Sequence, residues 1–319
     1  MKHVERNLLW LGTGVVVLAC ISSALFANVP VAWACACGCG VFDLGTQSMF
    51  PIRPGGMLTL EYDFMDQNRN WSGAATAPAE DNEDRQIRTN FVTLGGMYAF
   101  NGGWGVSMEV PFWERLLRSA DDDAGAGAIA QATHGAVGDV RVRGTFAGFS
   151  RDHSTGISAG LKLPTGDFTY RRFDRDTEIG TGSTDLLLGA YHMAPLAPDF
   201  QWGWLAAAAW DQPFAFHGDY RPGSELDATL AAFGSGWNVG PLRLAPVLKA
   251  VASLRAHDRG ADAVPDDTGY WRAFLAPGFD MRAVGLRVAG DALLPVAQHV
   301  NGSQLLAPVL FKLHIARSF

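Results

Sequence analysis

Three cysteines at alternate positions, Cys35, Cys37 and Cys39, with Gly38 between the last two and Gly40 after them, are the residues of this chain best suited to chemistry. Thiolates spaced this way on an extended segment can wrap a soft ion such as Cu(I) or zinc, and the glycines let the backbone bend around it. The same three thiols also admit a local disulfide with one thiol left over, a crosslink to a partner, or lipidation of Cys35. No paired CxxC and no CxxCH haem motif accompanies them. They stand as candidate metal ligands for copper or zinc, with docking of a periplasmic redox protein as the related alternative. The eight histidines are scattered, and none sits in an HExxH motif. Ser183 with His192 or His314 is the one serine–histidine pairing to weigh for a membrane-embedded hydrolase, and the chain reads as a non-enzyme.

The second chemistry is electrostatic. Glu61, Asp63, Glu109, Asp139 and Asp185, with Arg141, Arg143, Lys162, Arg243, Lys249, Arg287, Asp291 and Lys312, alternate with apolar neighbours along strand-like segments. Acids lean toward the early segments and bases toward the middle and late ones. If the apolar neighbours face lipid, these thirteen side chains share an interior. Two readings then compete. Opposed charges create a transverse field that selects polar or anionic solutes; or ion pairs fill a narrow barrel and close it. An apolar patch on this inner face, as a hydrophobic-solute channel would show, is not identifiable.

Positioning such residues needs elements with a period of two. Near 155–164, Ile157, Ala159, Leu161 and Leu163 share one face, and Ser158, Gly160 and Lys162 the other. In the next segment Leu186, Leu188 and Ala190 oppose Asp185 and Gly189. Similar segments recur near 57–66, 87–99, 104–113, 137–148, 183–193, 202–212, 225–237, 242–255, 269–280, 284–294 and 304–319. That is about twelve strands, an even number, as single-chain bacterial barrels have. The connections alternate short (near 101–103, 151–154, 195–200, 238–241 and 281–283) with long (near 67–86, 114–136, 165–182, 213–224, 256–268 and 295–303). A soluble sandwich has no reason to sort its loops; tight periplasmic turns and large outer loops do. The expectation is an all-β, up-and-down antiparallel transmembrane barrel over residues 56–319. Tyr98, Phe100, Trp104, Phe112, Trp113, Trp202, Trp204, Trp210, Trp237, Tyr270 and Trp271 fall near strand ends, where aromatic girdles belong. The chain finishes on an alternating strand ending in Phe319, which looks like a signal for the barrel-assembly machinery, with Arg317 on its apolar face.

Lys2 and Arg6, an apolar run from Leu8 to Phe26, and Ala32-Trp33-Ala34 before Cys35 read as a secretory signal peptide over 1–34, leaving 35–55 as a periplasmic leader. Removing 1–34 takes away two basic residues and one acidic residue, moving the formal charge from −7 to −8. That acidity argues against a nucleic-acid partner. Acids cluster in the long loops, at Glu80, Asp81, Glu83 and Asp84, at Asp121 to Asp123, at Asp174, Asp176 and Glu178, and at Asp258, Asp262, Asp266 and Asp267. They are either solvated or bridged through divalent cations to lipopolysaccharide.

Pro164-Thr165-Gly166-Asp167, followed by Gly180-Thr181-Gly182-Ser183-Thr184-Asp185, resembles the "MetA-pathway of phenol degradation" family of outer-membrane transporters across most of 50–319. The resemblance implies an integral outer-membrane barrel of a Gram-negative bacterium passing a small-molecule solute, and it supplies no catalytic residues. In purely mechanical terms, Pro164 suits a strand end and the glycines suit tight loop geometry.

Overall fold

A computed structural model describes residues 54–120, 127–196 and 202–319; the expected signal peptide, Cys35, Cys37 and Cys39 with the leader up to residue 53, and Asp121 to Asp123 lie outside the described residues. In chain order the strands are β1 (Gly55–Gln67), β2 (Arg69–Gly73), β3 (Ala75–Thr76), β4 (Asp84–Ala99), β5 (Trp104–Ala120), β6 (Ile129–Val137), β7 (Val140–Phe146), β8 (Thr155–Leu163), β9 (Ser183–Pro195), β10 (Trp202–Phe216), β11 (Glu225–Gly234), β12 (Trp237–Val239), β13 (Leu242–Arg255), β14 (Tyr270–Ala283), β15 (Leu286–Leu306) and β16 (Leu310–Ser318). They form a closed antiparallel barrel of twelve staves, the fold of an integral transmembrane barrel. β6 and β7 make one stave, both pairing with β5; β12 extends β11 along β13; and β2 and β3 form a small outgrowth in the first long loop. Closure comes from β1 pairing with β16, in register from Met57 opposite Ser318 to Met65 opposite Leu310.

The period of two sorts side chains cleanly, because successive residues of a strand point to opposite faces. Leu58, Leu60, Leu94, Met108, Leu161, Leu230 and Leu313 are exposed on the outside, where hydrocarbon replaces water, while their neighbours are buried inside. Tyr98, Phe100, Trp104, Phe112, Trp210, Trp237 and Trp271 are likewise exposed outward, as a girdle requires. Trp113 and Tyr270 are corrections to that expectation. Trp113 shares the parity of Glu109, and Tyr270 that of Arg272, so both rings turn into the barrel and are buried.

Two of the expected long loops are largely strand. β5 and β6 continue as a hairpin through most of 114–136, and β15 runs on through 295–306 before β16 begins at Leu310, not at 304. The outer part of β15 leaves β16 and pairs with β2, Gln304 opposite Trp71. Leu305 and Leu306 at its end, and Ala307 just after it, are all buried, in three separate clusters.

The stave of β6 and β7 carries a bulge. Phe112 faces Val137 and Glu109 faces Arg141, so three steps on β5 match four on the partner. One extra residue reverses the alternation. Before the bulge His134 and Ala136 point in; after it Asp139, Arg141 and Arg143 do.

Leu94 stands outward near the middle of the apolar band. Leu94→Arg is expected to cost about 2–4 kcal/mol in unfolding titrations from phospholipid vesicles, the penalty for a cation at the bilayer midplane; a cost near zero would mean that this face is wet.

Candidate functional site

Burial inside the barrel removes water from many charges, and a desolvated charge needs a partner. The register supplies them between neighbouring staves. Lys162 of β8 lies directly opposite Asp185 of β9 and ion-pairs with it, while Asp211 of β10 stands 3.7 Å from the same ammonium. Lys312 of β16 is opposite Asp63 of β1 and reaches Glu61 at 3.1 Å and Asp63 at 4.0 Å. Arg143 binds Glu109 at 2.8 Å across β7 and β5, and Asp280 takes Arg282 at 2.8 Å and also Arg287. Lys249 of β13 likewise reaches past a strand, to Asp291 of β15 at 2.6 Å over the intervening β14. Gly278 permits this, since a Cβ there would sit 2.7 Å from that of Asp291. Each of these pairs runs along the wall.

Above this polar belt, toward the long-loop end, lies an apolar layer. Met65, Phe91, Trp113, Val251, Phe274, Leu293, Ala307 and Leu310 form one buried cluster, with Phe91 and Trp113 edge to face at 4.7 Å. This is the apolar patch that sequence reading did not find. Its centre is filled by Ile179, 1% exposed, which belongs to no strand.

Ile179 arrives there because segment 164–182 folds into the barrel. The Asp139 carboxylate accepts hydrogen bonds from the Gly166 amide (2.9 Å), the Thr181 amide (2.8 Å) and the Thr181 hydroxyl (2.6 Å). Both ends of the segment are therefore tied to one side chain, which the bulge has turned inward. The Gly166 and Gly180 backbones touch: a Cβ on Gly180 would lie 2.4 Å from the Gly166 carbonyl carbon. Farther out, Arg115, fully buried, donates through Nη1 to the carbonyls of Thr177 and Glu178 (3.2 Å for the latter), and through Nε to the Thr89 hydroxyl at 3.0 Å. His134 Nε2 meets Asp167 at 2.9 Å and its ring stacks on Tyr170 at 4.1 Å. Hydrogen bonds from the Thr169 amide, and then from His134, hold the Asp167 carboxyl below the usual carboxylate range. Burial, reinforced by Asp167, pushes Glu178 up to about 7 against the opposing pull of Arg175 and Arg115.

Ile179 and Thr181 roof a cavity of about 60 Å³ walled by Thr59, Glu61, Asp63, Thr93, Glu109, Asp139, Arg141 and Lys162 below and by Phe91, Pro111 and Trp113 beside it. A second space of about 90 Å³ opens near the short-turn end, beside Met97, Trp104, Ala147, Tyr191 and Met193.

Of the residues singled out by alternation, Glu61, Asp63, Glu109, Arg141, Arg143, Lys162, Asp185, Lys249, Arg287, Asp291 and Lys312 lie on inward-facing positions, and Asp139 does so at the bulge. Arg243 is a correction. It sits exposed at the short-turn rim at the start of β13, donating to the Ser235 carbonyl at 2.5 Å. Pro164, Thr165, Gly166, Asp167, Gly180 and Gly182 come together at the base of the inward segment, where the Thr165 hydroxyl donates to the Gly138 carbonyl at 3.0 Å and Arg175 reaches the Thr181 carbonyl at 2.5 Å. Reading by sequence missed Asp211, whose face is otherwise Leu205, Ala207 and Ala209, and Arg115, whose shared parity with Glu109 was a usable signal. It also missed a buried network at the long-loop end. There Glu225 accepts from Tyr270 (2.6 Å) and Ser253 (3.1 Å), and Asp258 from Tyr220 (2.5 Å) and Arg255 (2.9 Å). Among the described residues no group of three His, Cys, Asp or Glu side chains could hold a metal ion.

Among solved structures, the chain is similar to an outer membrane channel from Pseudomonas putida F1, with a TM-score of 0.62 at 13% identity over 83% of this chain and 96% of that one. A weaker likeness is to the Ralstonia pickettii toluene transporter TbuX, with a TM-score of 0.39 at 10% identity over 84% and 90% of the two chains. The first likeness is one of fold. No family model matches the chain, and no curated protein does.

Two outcomes follow from the geometry. Lys162→Met leaves Asp185 and Asp211 facing each other without a cation and is expected to cost about 3–5 kcal/mol in chemical denaturation, as removing one partner of a buried pair does. Glu178, raised above the ordinary glutamate value, favours the docked segment at low pH and loses that contribution as pH rises through about 7. A carbon-13 titration of Glu178 in nanodiscs should give a midpoint near 7, and Asp167→Asn should lower it by removing a like charge.

Proposed function

We propose that this protein is an outer-membrane channel for small molecules with an apolar, aromatic-sized body, its short turns in the periplasm and its long loops outside. The observation that carries this reading is the layer of Phe91, Trp113, Phe274 and Leu310 inside the barrel, directly above a charged belt whose members pair along the wall. A desolvated apolar layer favours solutes that need no water. Charges already paired with strand neighbours offer a passing ion little net field, so the belt supports wetting of the lower lumen more than selection of anions. The neighbour that shares this fold is itself described as an outer membrane channel, and the barrel here has the same closed form. Passage is passive and involves no chemistry.

Uptake of an uncharged monocyclic aromatic by intact Gram-negative cells carrying the protein should exceed, several-fold, uptake by cells lacking it, and Phe274→Asp should remove the difference. Equal uptake with and without folded protein would overturn the reading.

A further inference from the structure

We propose that segment 164–182 is a hinged gate, pivoting at its Gly166–Gly180 base and latched by Arg115, that an apolar solute opens by taking the place of Ile179. This deepens the channel reading above and rests on it. The base is over-determined: three hydrogen bonds end on the Asp139 carboxylate, and two glycine backbones touch with no side chain between them. The outer part is held differently. Arg115 grips it only through two backbone carbonyls, and Arg115 Nη2, although buried, has no hydrogen-bond partner among the described residues. An arginine that leaves a buried N–H unsatisfied is a weaker fastening than its position suggests, because the desolvation cost of that N–H offsets part of what the two bonds contribute. Beyond the latch Phe173 packs against Ile87, Leu117 and Leu305 and Arg175 lies over the Tyr220 ring, while Thr169, Arg171, Arg172 and Asp174 are exposed, so apolar and ring contacts, with few hydrogen bonds, hold the outer part.

The consequence of release is specific. Ile179 leaves the aromatic layer, and the cavity it roofs with Thr181 opens upward while Asp139 keeps the base in place. An uncharged aromatic solute offers Phe91 and Trp113 the same dispersion and apolar contact that Ile179 does. It therefore displaces the side chain without a net loss of buried apolar surface, and the segment swings back when the solute has passed. Differential affinity for the open state is what such a population shift needs.

The test uses the full-length protein in planar bilayers: wild type, Arg115→Gln, Ile179→Ser, and a variant with 168–179 replaced by Gly-Ser-Gly. Folding of each is checked by heat-modifiable gel mobility. Wild type should show small, flickering conductance, Arg115→Gln and Ile179→Ser a several-fold rise in open probability, and the shortened variant a steady, larger conductance. Addition of benzyl alcohol should raise wild-type openings and leave the shortened variant unchanged. Equal conductance in wild type and the shortened variant would overturn the gate while leaving the channel intact. A folded shortened variant that conducts nothing would overturn both. Should Arg115→Gln fail to fold, Ile179→Ser carries the same comparison without touching the latch.

Discussion

One carboxylate decides how the interior is built. Asp139 faces inward only because a bulge adds a residue between β6 and β7, and once inward it collects both ends of a nineteen-residue connection, 164–182. A connection of that length ordinarily lies over the surface, because its backbone needs water. Here the backbone finds protein partners instead: Asp139 at the base, Arg115 farther along, and Arg175 closing back on the Gly180 and Thr181 carbonyls. With these backbone groups satisfied, the segment can bury Ile179 among aromatic rings, and the lumen acquires a roof.

Barrel closure does for the charges what the bulge does for the segment. Along the chain, acids come early and bases late, an arrangement that looks like a field. Closure of β1 on β16 sets Lys312, near the C-terminus, against Glu61 and Asp63, near the start of the barrel. Segregation in sequence becomes neutralisation in space. The remaining pairs lie within a strand or between adjacent strands, except Lys162 with Asp211, across β9, and Lys249 with Asp291, which depends on Gly278 leaving room across β14. Buried pairs of this kind contribute little net stability, but each punishes the loss of one member. They fix which staves are neighbours more than they hold them together.

The staves themselves were legible because lipid on one side and a packed interior on the other enforce a strict period of two. That period located the charged inward positions, and it would also have sorted Trp113 and Tyr270 inward had parity been weighed above their nearness to strand ends. Arg243 shows the limit of parity, which says which way a residue points but not whether the strand is still inside the barrel there. What was not legible depends on contacts distant in sequence. Nothing local to Pro164-Thr165-Gly166-Asp167 says that the segment turns in, since its anchor Asp139 is supplied from another stave. The apolar layer drew on residues from most of the barrel, Ala307 from the turn before the last strand among them. Asp211 was hidden by the alanines that share its face.

The claim on which this account turns is that 164–182 is part of the packed interior. Hydrogen exchange of that stretch in intact outer-membrane vesicles tests it directly, because the Gly166 and Thr181 amides end on a buried carboxylate. The account predicts exchange at these two amides as slow as in the neighbouring strands β8 and β9, and far slower than in the stretch 74–83 of the first long loop. Exchange as fast as in that loop would contradict it and place the segment outside the lumen.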